Sequence, residues 1–145
     1  MPLYRVTLAY DGTDFLGWQL QRGTGPASGR SGGTGRTVQG VLEEALGRLA
    51  GGGARVAVAG AGRTDAGVHA LGQVAAFSLP RDLEPDELQR ALNALLPPDV
   101  RVFEAATAAP GFHPRRSALS KLYRYELDCG GVPLPLRRRA AGFTP

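Results

Sequence analysis

The sequence is short of cysteine, histidine, tryptophan and long apolar runs, and each shortage removes a class of chemistry. One cysteine, Cys129, in 145 residues leaves no intrachain disulfide and no cysteine-based metal cluster. A lone thiol near a strand end reads as a small apolar filler rather than a nucleophile. No apolar run reaches the ~20 residues that a membrane-spanning helix needs. The opening MPLYRVTLAYDG has no charged stretch leading into an apolar one, so no signal peptide is expected. A cytoplasmic address follows as the simplest expectation, with no membrane partner.

What is present fits one ordinary domain. Hydrophobic residues make up 43% and charged residues 21%, enough for a single core. The net charge is +4 but unevenly spread: Arg115 to Arg139 holds seven basic and two acidic residues. The rest of the chain is close to neutral. Such a basic end points to an anionic partner, nucleic acid being the commonest, with a solvated surface as the alternative.

LYRVTLAY (Leu3 to Tyr10) alternates, placing Tyr4, Val6, Leu8 and Tyr10 on one face of a strand. A turn with Asp11 and Gly12 follows, and Trp18 reads as core or a turn anchor. Gly23 to Arg36 holds six glycines and no large apolar side chain, which predicts a flexible surface insertion. Arg30 within it could belong to a loose RNA-contacting arm. Thr37 is an N-cap for a helix whose apolar stripe is Val38, Val41, Leu42, Ala45, Leu46 and Leu49, stopped by Gly51 to Gly53. Strands are expected at Ala54 to Gly60 and Leu71 to Pro80. A second helix begins near Pro85, with Leu88, Ala91, Leu92 and Leu95 facing inward, and ends at Pro97 and Pro98. VRVFEAAT is a fourth strand and ALSKLYRYELD a fifth. The order predicts an α+β, ferredoxin-like β-α-β-β-α-β domain with an additional strand, both helices on one face of a mainly antiparallel sheet.

Between the second and third strands lies GAGRTDAGVHA, Gly60 to Ala70. A dinucleotide fingerprint fails because Asp65 stands where its third glycine belongs. A P-loop fails because Val68 and His69 replace its Lys and hydroxyl. Asp65 and His69 lack a third metal ligand nearby, so no metal is expected. What remains is a carboxylate on a glycine-hinged turn with a cation two residues away. Asp65 could serve as base or nucleophile, with Arg63 on a phosphate or a displaced base. Equally, it could cap its own turn while Arg63 pairs on the surface.

GRTDAGVHA (Gly62 to Ala70) resembles the catalytic signature of the tRNA pseudouridine synthase A family. YDGTDFLGWQ (Tyr10 to Gln19), RTVQGVLEEAL (Arg36 to Leu46), ALNALLPPDVRV (Ala91 to Val102), FHPRRSA (Phe112 to Ala118) and KLYRYEL (Lys121 to Leu127) match other family segments in the same order. The resemblance implies isomerisation of uridine to pseudouridine in tRNA, in the anticodon stem-loop at positions 38–40, without cofactor or metal. It implies that Asp65 is catalytic, that Arg63 holds the flipped nucleotide or its vacated place, and that Tyr123 stacks on the uracil. Lys121, Arg115, Arg116 and Arg124 are expected on RNA phosphates. Tyr125 is expected in the core, and His69 and His113 as backbone-bonded structural residues. Family members are longer, with two similar halves across a basic cleft, and act as homodimers. This chain is therefore expected to be one N-terminal domain, residues 1–145, without the second half. A non-catalytic RNA-binding module of RRM-like shape is the alternative, weakened because the RRM signature is missing from GQVAAFSL.

Overall fold

Period-two burial sets the central strand. In the computed structural model, which describes residues 1–20 and 35–144, β1 (Leu3–Tyr10) buries Tyr4, Val6, Leu8 and Tyr10. Most of the glycine-rich insertion, with Arg30, lies outside the described residues. β1 pairs antiparallel with β3 (Ala70–Ser78) on one side and β4 (Val100–Thr107) on the other. β2 (Ala59–Gly60) pairs antiparallel with the far edge of β3, giving the order β2-β3-β1-β4. This is the ferredoxin-like arrangement. Each β-α-β crossover skips one place, and β3 and β1 fill the places skipped.

The helices follow their sequence signals. Thr37 Oγ1 accepts from the Gly40 N–H at 3.1 Å and caps α1 (Val38–Leu49). Val38, Leu42, Ala45 and Leu46 are buried. α2 (Pro85–Leu95) has Pro85 in its first turn and Asp86 and Glu87 at its positive end. Leu88 and Leu92 are fully buried. The sheet's other face carries Thr7, Val74 and the Arg5–Glu104 ion pair (3.8 Å). It lacks the row of stacked aromatics that an RRM platform uses.

Two expected strands are shortened. Ala54 is a bend and residues 55–58 belong to no regular element, though Val56 and Val58 are buried in alternation; only Ala59 and Gly60 join the sheet. Side chains of α1 satisfy the backbone before them. Glu43 accepts from the Val58 N–H (3.1 Å) and from Arg55 (2.8 Å), and Gln39 Nε2 donates to the Val58 carbonyl (2.8 Å).

The strand expected over Ala118 to Asp128 is reduced to β5 (Leu127–Asp128). It pairs in parallel with β6 (Gly142–Phe143), apart from the main sheet. A strand needs both a free edge and an apolar surface to cover, and here Leu119, Leu122 and Tyr125 pack on nothing. Tyr125 is 89% exposed rather than core, and Cys129 is exposed rather than filling a gap. Both expectations fail for one reason: they assumed a strand buried on one side. Among the described residues, no helix is long and apolar enough to cross a membrane.

Glu43 ties the strand that leads into the Asp65 loop to α1. Glu43→Ala leaves the Val58 N–H unpaired and should lower unfolding free energy by about 1–3 kcal/mol. Urea titration measures this, and Glu43→Gln should recover part of the loss.

Candidate active site

The segment from Ala61 to His69 leaves the sheet at β2 and returns at β3, and bonds hold it at many points. The Ala61 N–H donates to the Val74 carbonyl (2.8 Å), and Gln73 Nε2 donates to the Gly62 carbonyl (2.9 Å). Thr64 is held twice. Its hydroxyl bonds the Tyr10 hydroxyl (2.8 Å), and its carbonyl accepts from the Trp18 N–H (3.0 Å). The Gly67 N–H donates to the Phe15 carbonyl (3.3 Å), and Gly67 takes φ +82°, which glycine adopts without strain. His69 Nδ1 accepts from the Gly12 N–H (2.9 Å), and its Nε2 bonds the Arg139 carbonyl.

The turn after β1 lies directly against this loop. A Cβ on Gly12 would sit 1.9 Å from the Val68 carbonyl oxygen, and one on Gly17 would sit 2.5 Å from that of Thr64. YDGTDFLGWQ is thus the clamp on GRTDAG. Burial pushes the Tyr10 phenol above its ordinary pKa, opposed by its bond to Thr64, so it serves here as a neutral hydrogen-bond partner. Asp11 goes the other way. Bonds from the Thr13 hydroxyl (2.6 Å) and N–H (3.0 Å) hold its carboxyl below the usual range, with His69 and Arg139 adding to them.

Within this clamp Asp65 is exposed, and its carboxylate has no hydrogen bond or ion pair among the described residues. The turn is closed by the Val68 N–H on the Asp65 backbone carbonyl (3.1 Å), not by the side chain. Arg63 is likewise exposed and unpaired among the described residues. Self-capping by Asp65 and surface pairing by Arg63 are therefore both absent from this geometry.

The other expected site residues divide. Lys121 lies over the loop, its Nζ 3.5 Å from where a Gly62 Cβ would be. Arg115 lines one cleft with Arg63. Arg116 is exposed beside it. Arg124 is engaged by Glu126 at 2.8 Å. Tyr123 is 68% exposed, with no ring partner or hydrogen bond among the described residues. His69 and His113 are backbone-bonded as expected, and Trp18 is core. The sequence reading missed Gln73 and the hydroxyl of Tyr10. One signal was available: a buried tyrosine hydroxyl needs a partner, and Tyr10 falls on the inward face of β1.

Fold and loop together define a ferredoxin-like α+β domain built around a rigid turn that presents an unpartnered carboxylate among cations. The model of the family described as tRNA pseudouridine synthase matches residues 7–115, from mid-β1 past the loop to Arg115. The chain belongs to that family. It is 46% identical over 142 residues to the tRNA pseudouridine synthase A of Latilactobacillus sakei, covering 98% of this chain and 52% of that protein. It is 48% identical over 138 residues to the protein of the same name from Myxococcus xanthus, covering 95% and 47%. With that of Solidesulfovibrio magneticus it shares 52% over 139 residues, again 95% and 47%. The chain spans about half the length of the curated relatives it matches.

Tyr10→Phe keeps the ring in the core and removes the hydroxyl's bond to Thr64 and its interaction with Gln73, at a cost of about 0.5–1.5 kcal/mol. Hydrogen exchange at the Asp65, Gly67 and Val68 amides should quicken, while α2 amides stay unchanged.

Proposed function

We propose that the chain is the N-terminal part of a tRNA pseudouridine synthase catalytic core, which isomerises a uridine in the anticodon stem-loop. The single observation that carries this reading is the Asp65 carboxylate. It stands exposed and unpartnered on a loop fixed by the turn after β1. A module that only bound RNA would gain nothing from a free carboxylate in the path of an anion.

In the reaction the N1–C1′ bond breaks, the base turns, C5 bonds to C1′, the C5 proton leaves, and N1 takes up a proton. Asp65 acts either as nucleophile toward the sugar or the base, or as the base that takes the C2′ proton, both roles needing the free carboxylate. The target uridine must leave its stack to reach an exposed loop, which costs a few kcal/mol. Arg63 receives the extruded nucleotide or fills its place, and Tyr123 offers its exposed ring to the uracil. Lys121, Arg115 and Arg116 meet phosphates. The relatives are about twice as long as the matched stretch, which supports a second half that closes the cleft. The homodimer and the cytoplasmic setting belong to the reading as what the family resemblance implies.

Tritium release from tRNA labelled at uracil C5 tests the reading. The assay uses the chain alone and the chain supplied with the C-terminal half of the L. sakei relative. Asp65→Asn should lower release by at least about 10²–10⁴-fold while leaving tRNA affinity close to that of the parent. Undiminished release by Asp65→Asn would remove its catalytic role. No release from either preparation, with tRNA still bound, would favour the RNA-binding module.

A further inference from the structure

Arg63 and Arg115 come from distant parts of the chain, yet they line one cleft of about 180 Å³. The cleft lies along the edge of the sheet at Ala59 and Gly60 and beside Val58, where the Trp18 indole packs on Gly60. Gln19 and His113 also line it. Neither guanidinium has an ion-pair partner among the described residues.

His113 is held in one orientation by its own turn. Its Nδ1 accepts from the backbone N–H groups of Arg115 (3.1 Å) and Arg116 (3.3 Å). An imidazole that accepts at Nδ1 keeps its proton on Nε2, so its remaining group is an N–H donor. The lining thus offers two guanidiniums, an imidazole N–H and the exposed Gln19 carboxamide, with no carboxylate among its residues. Guanidinium forks match phosphate oxygens, and a carboxamide can both donate to and accept from a base edge. The volume is well under the ~300 Å³ of sites for drug-sized ligands, which suits one phosphodiester and a single ring.

We propose that this cleft is a nucleotide subsite for RNA. It takes the phosphodiester that joins the target to a flanking residue, so that Arg63 holds the extruded nucleotide through that phosphate, with Arg115 on the other phosphate oxygen, the His113 Nε2–H beside them, and Gln19 at the flanking base edge. The inference rests on reading the chain as part of a tRNA-modifying enzyme. It adds a second anchoring point, in a cleft that Arg63 lines and Asp65 does not, that fixes the strand while the target is extruded.

Nitrogen-15 NMR of the chain, titrated with the dinucleotide UpU and in parallel with inorganic phosphate, tests it directly. UpU should shift His113 Nε2, the Arg63 and Arg115 Nε resonances and the Gln19 carboxamide, and phosphate should shift them less at equal concentration. Arg115→Ala, an exposed position, should weaken tRNA binding about ten-fold at low salt and flatten the salt dependence by about one unit of slope. Gln19→Ala should keep that slope and lose the preference for UpU over phosphate. Absent shifts, or an unchanged salt slope in Arg115→Ala, would overturn the subsite. Phosphate binding as tightly as UpU would reduce it to a simple anion site and overturn it as well. Tritium release reports separately on Asp65. Cleft shifts without release support the subsite and count only against the enzyme reading, whereas release without cleft shifts does the reverse.

Discussion

Backbone packed on backbone is the contact on which the rest of the site depends. The turn after β1 and the loop before β3 approach so closely at Gly12–Val68 and Gly17–Thr64 that no Cβ fits between them. Backbone bonds then cross the gap, from Trp18 to Thr64 and from Gly67 to Phe15. A loop of this length would otherwise sample many conformations, each ordered residue costing roughly 1–2 kcal/mol to fix. Here that ordering is part of folding the core, because Phe15 and Trp18 are themselves core residues. A reacting group on such a loop meets its substrate already oriented.

Much of the fold was legible because its signals are local. The alternation of Tyr4, Val6, Leu8 and Tyr10 marked β1 to the residue, and VRVFEAAT marked β4 equally well. Thr37 and Pro85 announced the helix starts. What failed depended on partners distant in sequence. Nothing near Ala54 shows that Glu43 and Gln39 will take the backbone groups of Val58. The alternation in KLYRYEL is real, but a strand there needs an apolar layer to cover, and among the described residues Leu122 and Tyr125 meet none. Asp65 and Arg63 stood out in the site because their motif is contiguous. The Tyr10–Thr64 bond and the meeting of Arg63 with Arg115 are products of topology, which a linear reading does not contain.

The charge of the basic end also means less by count than by pairing. Arg124 and Arg137 share Glu126, and Arg139 reaches Asp11 and Asp14 beside the clamp. Arg139 thus stitches the C-terminal segment to the domain and Arg124 and Arg137 pair within that segment, whereas Arg63, Arg115, Arg116 and Lys121 carry no such pair among the described residues. Exposed pairs of this kind contribute little stability, up to ~1 kcal/mol each. Their larger effect is to neutralise Arg124, Arg137 and Arg139 locally while Arg63, Arg115 and Lys121 keep unpaired charge near the Asp65 loop.

The base from which the glycine-rich stretch departs is closed. The Leu16 N–H donates to the Arg36 carbonyl (2.9 Å), Val38 to Gly17 (3.2 Å) and Gln39 to Trp18 (2.9 Å). Arg36 is pinned by Asp99 and lies over the Phe15 ring at 4.1 Å. Exit and return are thus fixed side by side, whatever lies between them. Doubling the length of a stretch tied in this way costs only about 0.6 kcal/mol. The neck works as a socket: evolution or an engineer can exchange the sequence plugged into it while the clamp on Asp65, a few residues away, stays as it is.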